Sequence, residues 1–183
     1  MPLRRLLARF AALQGRFPRL VSIATGGAVM GAGDAAAQLY GGRPVDWRRN
    51  TVVSSYTGGV APILYFWWGL LDMRWPGTAL GAVAKKTLTN QIIVGPLNST
   101  LFLCWTFCIG GWLRATPATE SLVRPALPRK LMQEVPGLFL SSCVWWIPAN
   151  AVNFMFVPPC LRVAFMSSCS VIWGGYISYV AHR

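Results

Sequence analysis

Long apolar stretches, separated by short basic or proline-containing turns, organise this chain. Val21–Tyr40, Thr51–Leu71, Thr87–Leu113 and Leu161–Val180 each read as a helix long enough to cross a bilayer, which takes about twenty residues. Gly41 to Pro44 closes the first stretch, and Asp72 to Gly77 forms a turn after the second. Residues 115–129 carry Pro117, Pro125 and Pro128 and read as a loop. A further apolar region opens at Lys130 and is interrupted by Pro136 and Pro148 before Pro158 and Pro159 break the chain again. The first twenty residues differ. Arg4, Arg5, Arg9, Arg16 and Arg19 alternate with Leu3, Leu6, Leu7, Phe10, Leu13, Phe17 and Leu20. The apolar members recur at helical spacing, and no acidic residue precedes Asp34. Such a segment fits a mitochondrial transit peptide or a helix lying in the membrane interface; a retained helix is the expectation.

The pattern predicts an all-α integral membrane helical bundle. It has about four transmembrane helices, an N-terminal amphipathic helix over residues 1–20 and a proline-broken segment, with residues 21–183 as one bundle. Composition agrees. Of 183 residues, 54% are hydrophobic and 12% charged, whereas soluble domains are about a quarter charged. Lipid can cover apolar surface that a small soluble core cannot. The net charge of +12 comes from basic residues between the apolar stretches, where they suit anionic headgroups such as cardiolipin. No helix-turn-helix, RRM or finger spacing accompanies it, so no nucleic acid is expected. Basic residues occur on every loop and fix no orientation.

Polar residues within the apolar stretches are the informative ones, because polarity is costly there. Asp34 and Gln38 lie one turn apart, and Gly27 and Gly31, with Gly33 beside them, mark a face for close helix packing. Lys86, Asn90 and Gln91 fall on nearby turns, and Asn150 and Asn153 sit one turn apart. These seven polar residues form either a satisfied interhelical network or the lining of a polar path. No catalytic set emerges: His182 is the single histidine, and no G-x-S-x-G, P-loop or dinucleotide fingerprint occurs. Cys104, Cys108, Cys143, Cys160 and Cys169 show no metal-ligand spacing. The chain is expected to be no enzyme and to need no metal or cofactor.

Together these residues resemble the Mpv seventeen / peroxisomal membrane protein twenty-two family of organellar membrane proteins. The likeness is densest where Asn153, Phe154, Pro158, Arg162, Trp173 and Tyr176 stand in the family's order. Upstream, Gly33-Asp34 with Gln38, Asp46 with Arg49, Gly58, Pro62, Trp67-Trp68, Lys85-Lys86, Gln91 and Pro96 continue it. Departures fall at Asn90, where the family usually has an acid, and at Tyr65, Pro148 and Asn150. The resemblance implies a bundle of four membrane helices in the mitochondrial inner membrane, with the peroxisomal membrane as the alternative. It further implies a small weakly selective channel or membrane homeostasis factor. The alternative function is a non-catalytic accessory subunit of a large inner-membrane complex, such as a respiratory complex or the ATP synthase.

Overall fold

A computed structural model describes residues 2–42, 44–114, 137 and 139–181 of the chain. Among these, regular structure is entirely helical. The helices are α1 (Pro2–Arg16), α2 (Pro18–Tyr40), α3 (Trp47–Arg74), α4 (Leu80–Arg114), α5 over residues 139–156, and α6 (Arg162–Ala181) after a 3-10 turn at Pro159–Leu161.

Local chemistry sets these boundaries. Pro18 opens α2 at a position where a missing N–H costs nothing. The side chain of Asp46 caps α3 by accepting from the amides of Arg48 at 3.0 Å and Arg49 at 3.1 Å. Gly77, at φ +85°, makes the α3–α4 turn in a region closed to most side chains. Over its described residues 139–156, the apolar region expected to be broken by proline is instead a continuous helix through Pro148, while Pro136 and the loop expected at 115–129 lie outside the described residues. The break falls at residues 157–158, where Pro158 is extended at φ −56° and ψ 143°. A proline removes one helical hydrogen bond, a loss that packing against neighbouring helices tolerates in membrane bundles. Pro62 and Pro96 likewise sit inside α3 and α4.

From α2 onward, successive helices run antiparallel. Gly26 of α2 faces Ala61 of α3, and Gly31 faces Asn50 and Ser54. Trp105 of α4 donates to the Val52 carbonyl of α3, and Lys86 near its start reaches Asp72. Gln91 and Asn90 of α4 then meet Ser142 and Asn150 of α5. Gly33 of α2 packs against Val171 of α6. The start of α2, the α3–α4 turn and the α5–α6 turn therefore share one end of the bundle, which we term the first end. The Tyr40–Trp47 connection and the end of α4 lie at the second.

The packed centre is built from Ala61, Trp68, Leu71, Val83, Phe154, Val163 and Met166. Outward faces carry large apolar side chains such as Leu39, Ile63, Ile92, Val144, Phe156 and Ile172. Among the described residues, α2 is the one helix whose length and composition alone qualify it to cross a membrane. α1 lies at the first end, tied to α2 where Gln14 donates to the Ser22 hydroxyl at 3.0 Å, and it touches the 3-10 turn.

Candidate functional site

The structure sorts the seven polar candidates into four levels along the bundle. At the second end, the buried carboxylate of Asp34 is fully engaged. Gln38 donates to it at 2.7 Å, Asn50 at 3.3 Å, and Arg49 pairs with it at 3.1 Å. Gln38 in turn accepts from the Asp46 amide at 2.7 Å, and Asn50 also donates to the Gly31 carbonyl at 2.8 Å. α2 and the start of α3 are thereby locked together. Arg49 is 43% exposed, so part of the compensation for Asp34 comes from a solvated cation.

The middle layer joins α3, α4 and α5. Asn90 accepts from the indole N–H groups of Trp67 at 3.0 Å and Trp68 at 3.2 Å, and donates to Asn150 at 3.0 Å. Asn150 donates to the Trp146 carbonyl at 2.8 Å. Gln91 donates to the hydroxyl of Ser142 at 3.2 Å. The tandem tryptophans thus turn their N–H groups inward. A neutral acceptor suits that position, because the amide of Asn90 also supplies the donor that Asn150 needs.

Toward the first end lies a charged cluster that sequence reasoning missed in part. Lys86, only 1% exposed, donates to Asp72 at 2.7 Å and to the Gly77 carbonyl at 2.8 Å. The same carboxylate accepts from Arg162, so one anion from α3 holds cations from α4 and α6. Both cations also lie over the ring of Phe154, Lys86 at 5.6 Å and Arg162 at 5.3 Å. Burial works to raise the Asp72 carboxyl, but the hydrogen bonds and charges of Lys86 and Arg162 prevail and hold it below the usual range. Asp72 looks like an ordinary turn acid in the sequence. The signal that points to it is Lys86, a buried ammonium that needs a counter-charge.

Between the middle layer and this cluster lie two residues whose polar atoms have no partner. Asn153 is wholly buried with both amide atoms unpaired, and the buried hydroxyl of Thr87 is also unpaired. Thr87 precedes Asn90 by three residues and Asn153 follows Asn150 by three, so antiparallel packing sets them at one level. The Lys86–Phe154 contact confirms that register. Most buried polar groups in folded proteins have a protein or water partner.

Gly27 and Gly31 face α3 and Gly33 faces α6, so the three glycines serve two interfaces. Of the family-motif residues, Phe154 and Arg162 belong to the charged cluster, and Trp173 stacks on Trp145 at 6.5 Å. Pro158 shapes the turn before α6. The side chain of Tyr176, and His182 altogether, lie outside the described residues. No group of three or more metal-ligating side chains occurs among the described residues.

Comparison with known proteins follows the same pattern. Residues 125–178 match the Mpv17 / PMP22 family. The human mitochondrial inner membrane protein Mpv17 is 30% identical over 171 residues, covering 91% of this chain and 92% of that protein. The bovine protein of the same name is also 30% identical over 171 residues, with the same shares covered. PXMP2/4 family protein 2 of Dictyostelium discoideum is 25% identical over 191 residues, covering 98% of this chain and 92% of its own. No solved structure matches. With relatives 30% identical over 91% of its length, the chain belongs to the Mpv17 / PMP22 family and is a protein of the mitochondrial inner membrane.

Proposed function

We propose that the chain is a small, weakly selective pore whose polar path runs between α3, α4, α5 and α6. The observation that carries this reading is the unpaired, fully buried amide of Asn153 at the level of the unpaired hydroxyl of Thr87. A bundle built only for packing gains nothing from such groups, since leaving them unpaired costs about 1–3 kcal/mol each. They are accounted for if water or a passing solute hydrates that layer. Asn90, Gln91 and Asn150 extend the polar lining toward the middle. Asp34 and Gln38 act as a structural lock rather than as lining, because they sit on α2 and bind the start of α3, outside the space between α3, α4, α5 and α6.

In this reading α2 to α6 all cross the membrane, one more helix than the family resemblance implies. α2 has 23 residues, about 35 Å at the helical rise, and α5 spans 18 described residues, about 27 Å; the hydrocarbon core is about 30 Å. Five alternating crossings put the amphipathic α1 and the C-terminal end of α6 on opposite sides. On α1, Leu6 and Leu13 are exposed beside its arginines, which suits anionic lipid such as cardiolipin. The reading assigns the chain no catalysis.

The test is solute release from liposomes carrying the purified chain. Wild-type protein is expected to release small solutes faster than empty vesicles, and Asn153→Leu to suppress release while keeping the fold. Release equal to that of empty vesicles overturns the pore reading.

A further inference from the structure

Asp72 is the one acidic side chain at the first end among the described residues, and it serves two cations. Lys86 is almost wholly buried, and the Arg162 side chain is 7% exposed, whereas the Asp72 side chain is 29% exposed. The cations are therefore fixed inside the bundle and the anion sits on its outer side. The three groups come from three different helices, α4, α6 and α3. Directly inward lies the level of Thr87 and Asn153, with their unpaired polar atoms. Around this end stand further basic residues, Arg16, Arg19, Arg74 and Lys85.

We propose that Lys86 and Arg162 form an anion-binding site which Asp72 occupies as a tethered plug, and that a small carboxylate- or phosphate-bearing solute opens the path by taking its place. The inference rests on the pore reading and names its solute class. The chemistry is an exchange of like for like. Asp72 presents two carboxylate oxygens, one to each cation, as a carboxylate or phosphate solute would. Substitution keeps both buried cations compensated, so opening strands no charge in the interior. It also frees α3 from α4 and α6 at this end. A solute cation gains nothing there, because the site carries two positive groups against one negative.

The experiment uses the full chain in liposomes, with inorganic phosphate and potassium fluxes measured in parallel. Removing the plug with Asp72→Asn is expected to raise phosphate flux about tenfold and leave potassium flux unchanged, given the size of one unit charge at contact distance. Arg162→Met and Lys86→Met are expected to lower phosphate flux about tenfold on the same grounds, again sparing potassium. Should Asp72→Asn fail to fold with Lys86 uncompensated, Asp72→Asn with Lys86→Met removes both charges. Its phosphate-to-potassium ratio is expected to lie about tenfold above that of Lys86→Met alone, since both variants keep Arg162 as the one cation of the site and only the double variant lacks the plug. Wild-type flux whose phosphate-to-potassium ratio is the same in all these variants overturns the plug and leaves the pore standing. Wild-type vesicles no leakier than empty ones overturn both.

Discussion

Gly26 and Gly27 are neighbours on α2, yet an added methyl group meets very different surroundings at each. A Cβ on Gly26 lies 2.8 Å from the Ala61 Cβ and 3.0 Å from the Thr57 carbonyl oxygen. Carbon atoms pack at about 3.5–4.0 Å, so the two helices must part by roughly an ångström. Neither obstacle can swing aside, since one is a Cβ and the other is backbone. A Cβ on Gly27 meets its nearest atom, the Ser54 carbonyl oxygen, at 3.5 Å, an ordinary contact. Both substitutions by alanine gain the same helix propensity, up to about 1 kcal/mol. That gain cancels in the comparison and leaves the overpacking cost, about 1–3 kcal/mol. Gly26→Ala is therefore expected to melt below Gly27→Ala by roughly 2–12 °C for a chain of this size. The assay is thermal unfolding in mild detergent, followed by the fluorescence of the nine tryptophans. Equal melting of the two variants, or a lower midpoint for Gly27→Ala, refutes the close α2–α3 approach at Gly26.

Four further outcomes are expected. Gly33→Leu drives a side chain into the β-branched, stiff Val171, and is expected to abolish the folded monodisperse species on size-exclusion chromatography. At the second end, Asp34→Asn should cost about 1–3 kcal/mol through its lost charge-assisted bonds. Its double-mutant coupling with the half-exposed Arg49 should stay within about 1 kcal/mol, as read from the thermal midpoints of Asp34→Asn, Arg49→Gln and the pair. Asp72, whose carboxyl is held low in the fold, contributes stability that is present above the unfolded value of about 3.9 and is lost as pH falls through the lower folded value. A melting midpoint that declines on acidification below that value in wild type, and less in Asp72→Asn with Lys86→Met, checks the sign. Vesicle flotation should show an α1 peptide, residues 1–16, binding cardiolipin-containing vesicles over neutral ones, with the preference falling as arginines 4, 5 and 9 become glutamine; equal binding to both vesicle types counts against the lipid role.

Helix placement was largely legible because long apolar runs and short turns are read from composition alone. Boundaries were less so. α4 begins at Leu80, several residues before the expected start, because Lys85 and Lys86 look like flanking loop charges until Asp72 is seen to neutralise Lys86. Pro148 reads as a break for the same reason: the sequence displays the missing N–H and not the packing that tolerates it. The polar candidates were visible as residue types, but their partners were not. Asn50 and Ser142 carry no sequence signal beyond polarity, and they prove to be the cross-helix partners of Asp34 and Gln91. The G-x-x-x-G spacing drew attention to Gly27 and Gly31, whereas the tightest approach to α3 is at Gly26, which spacing could not single out. Thr87 carries no signal in the sequence, because an unpaired hydroxyl is a property of packing, invisible until the level of Asn153 is known.

The most direct measurement is conductance across a planar bilayer holding the purified chain, with wild type and Asn153→Leu compared side by side. Replacing an unpaired buried amide by a similar-sized apolar group is nearly neutral or stabilising for the fold, so both proteins should insert equally. The account predicts discrete channel openings for wild type and their loss in Asn153→Leu at an equal or higher melting midpoint. Openings of the same size and frequency in both proteins contradict it, since the layer at Asn153 would then lie off the conducting path.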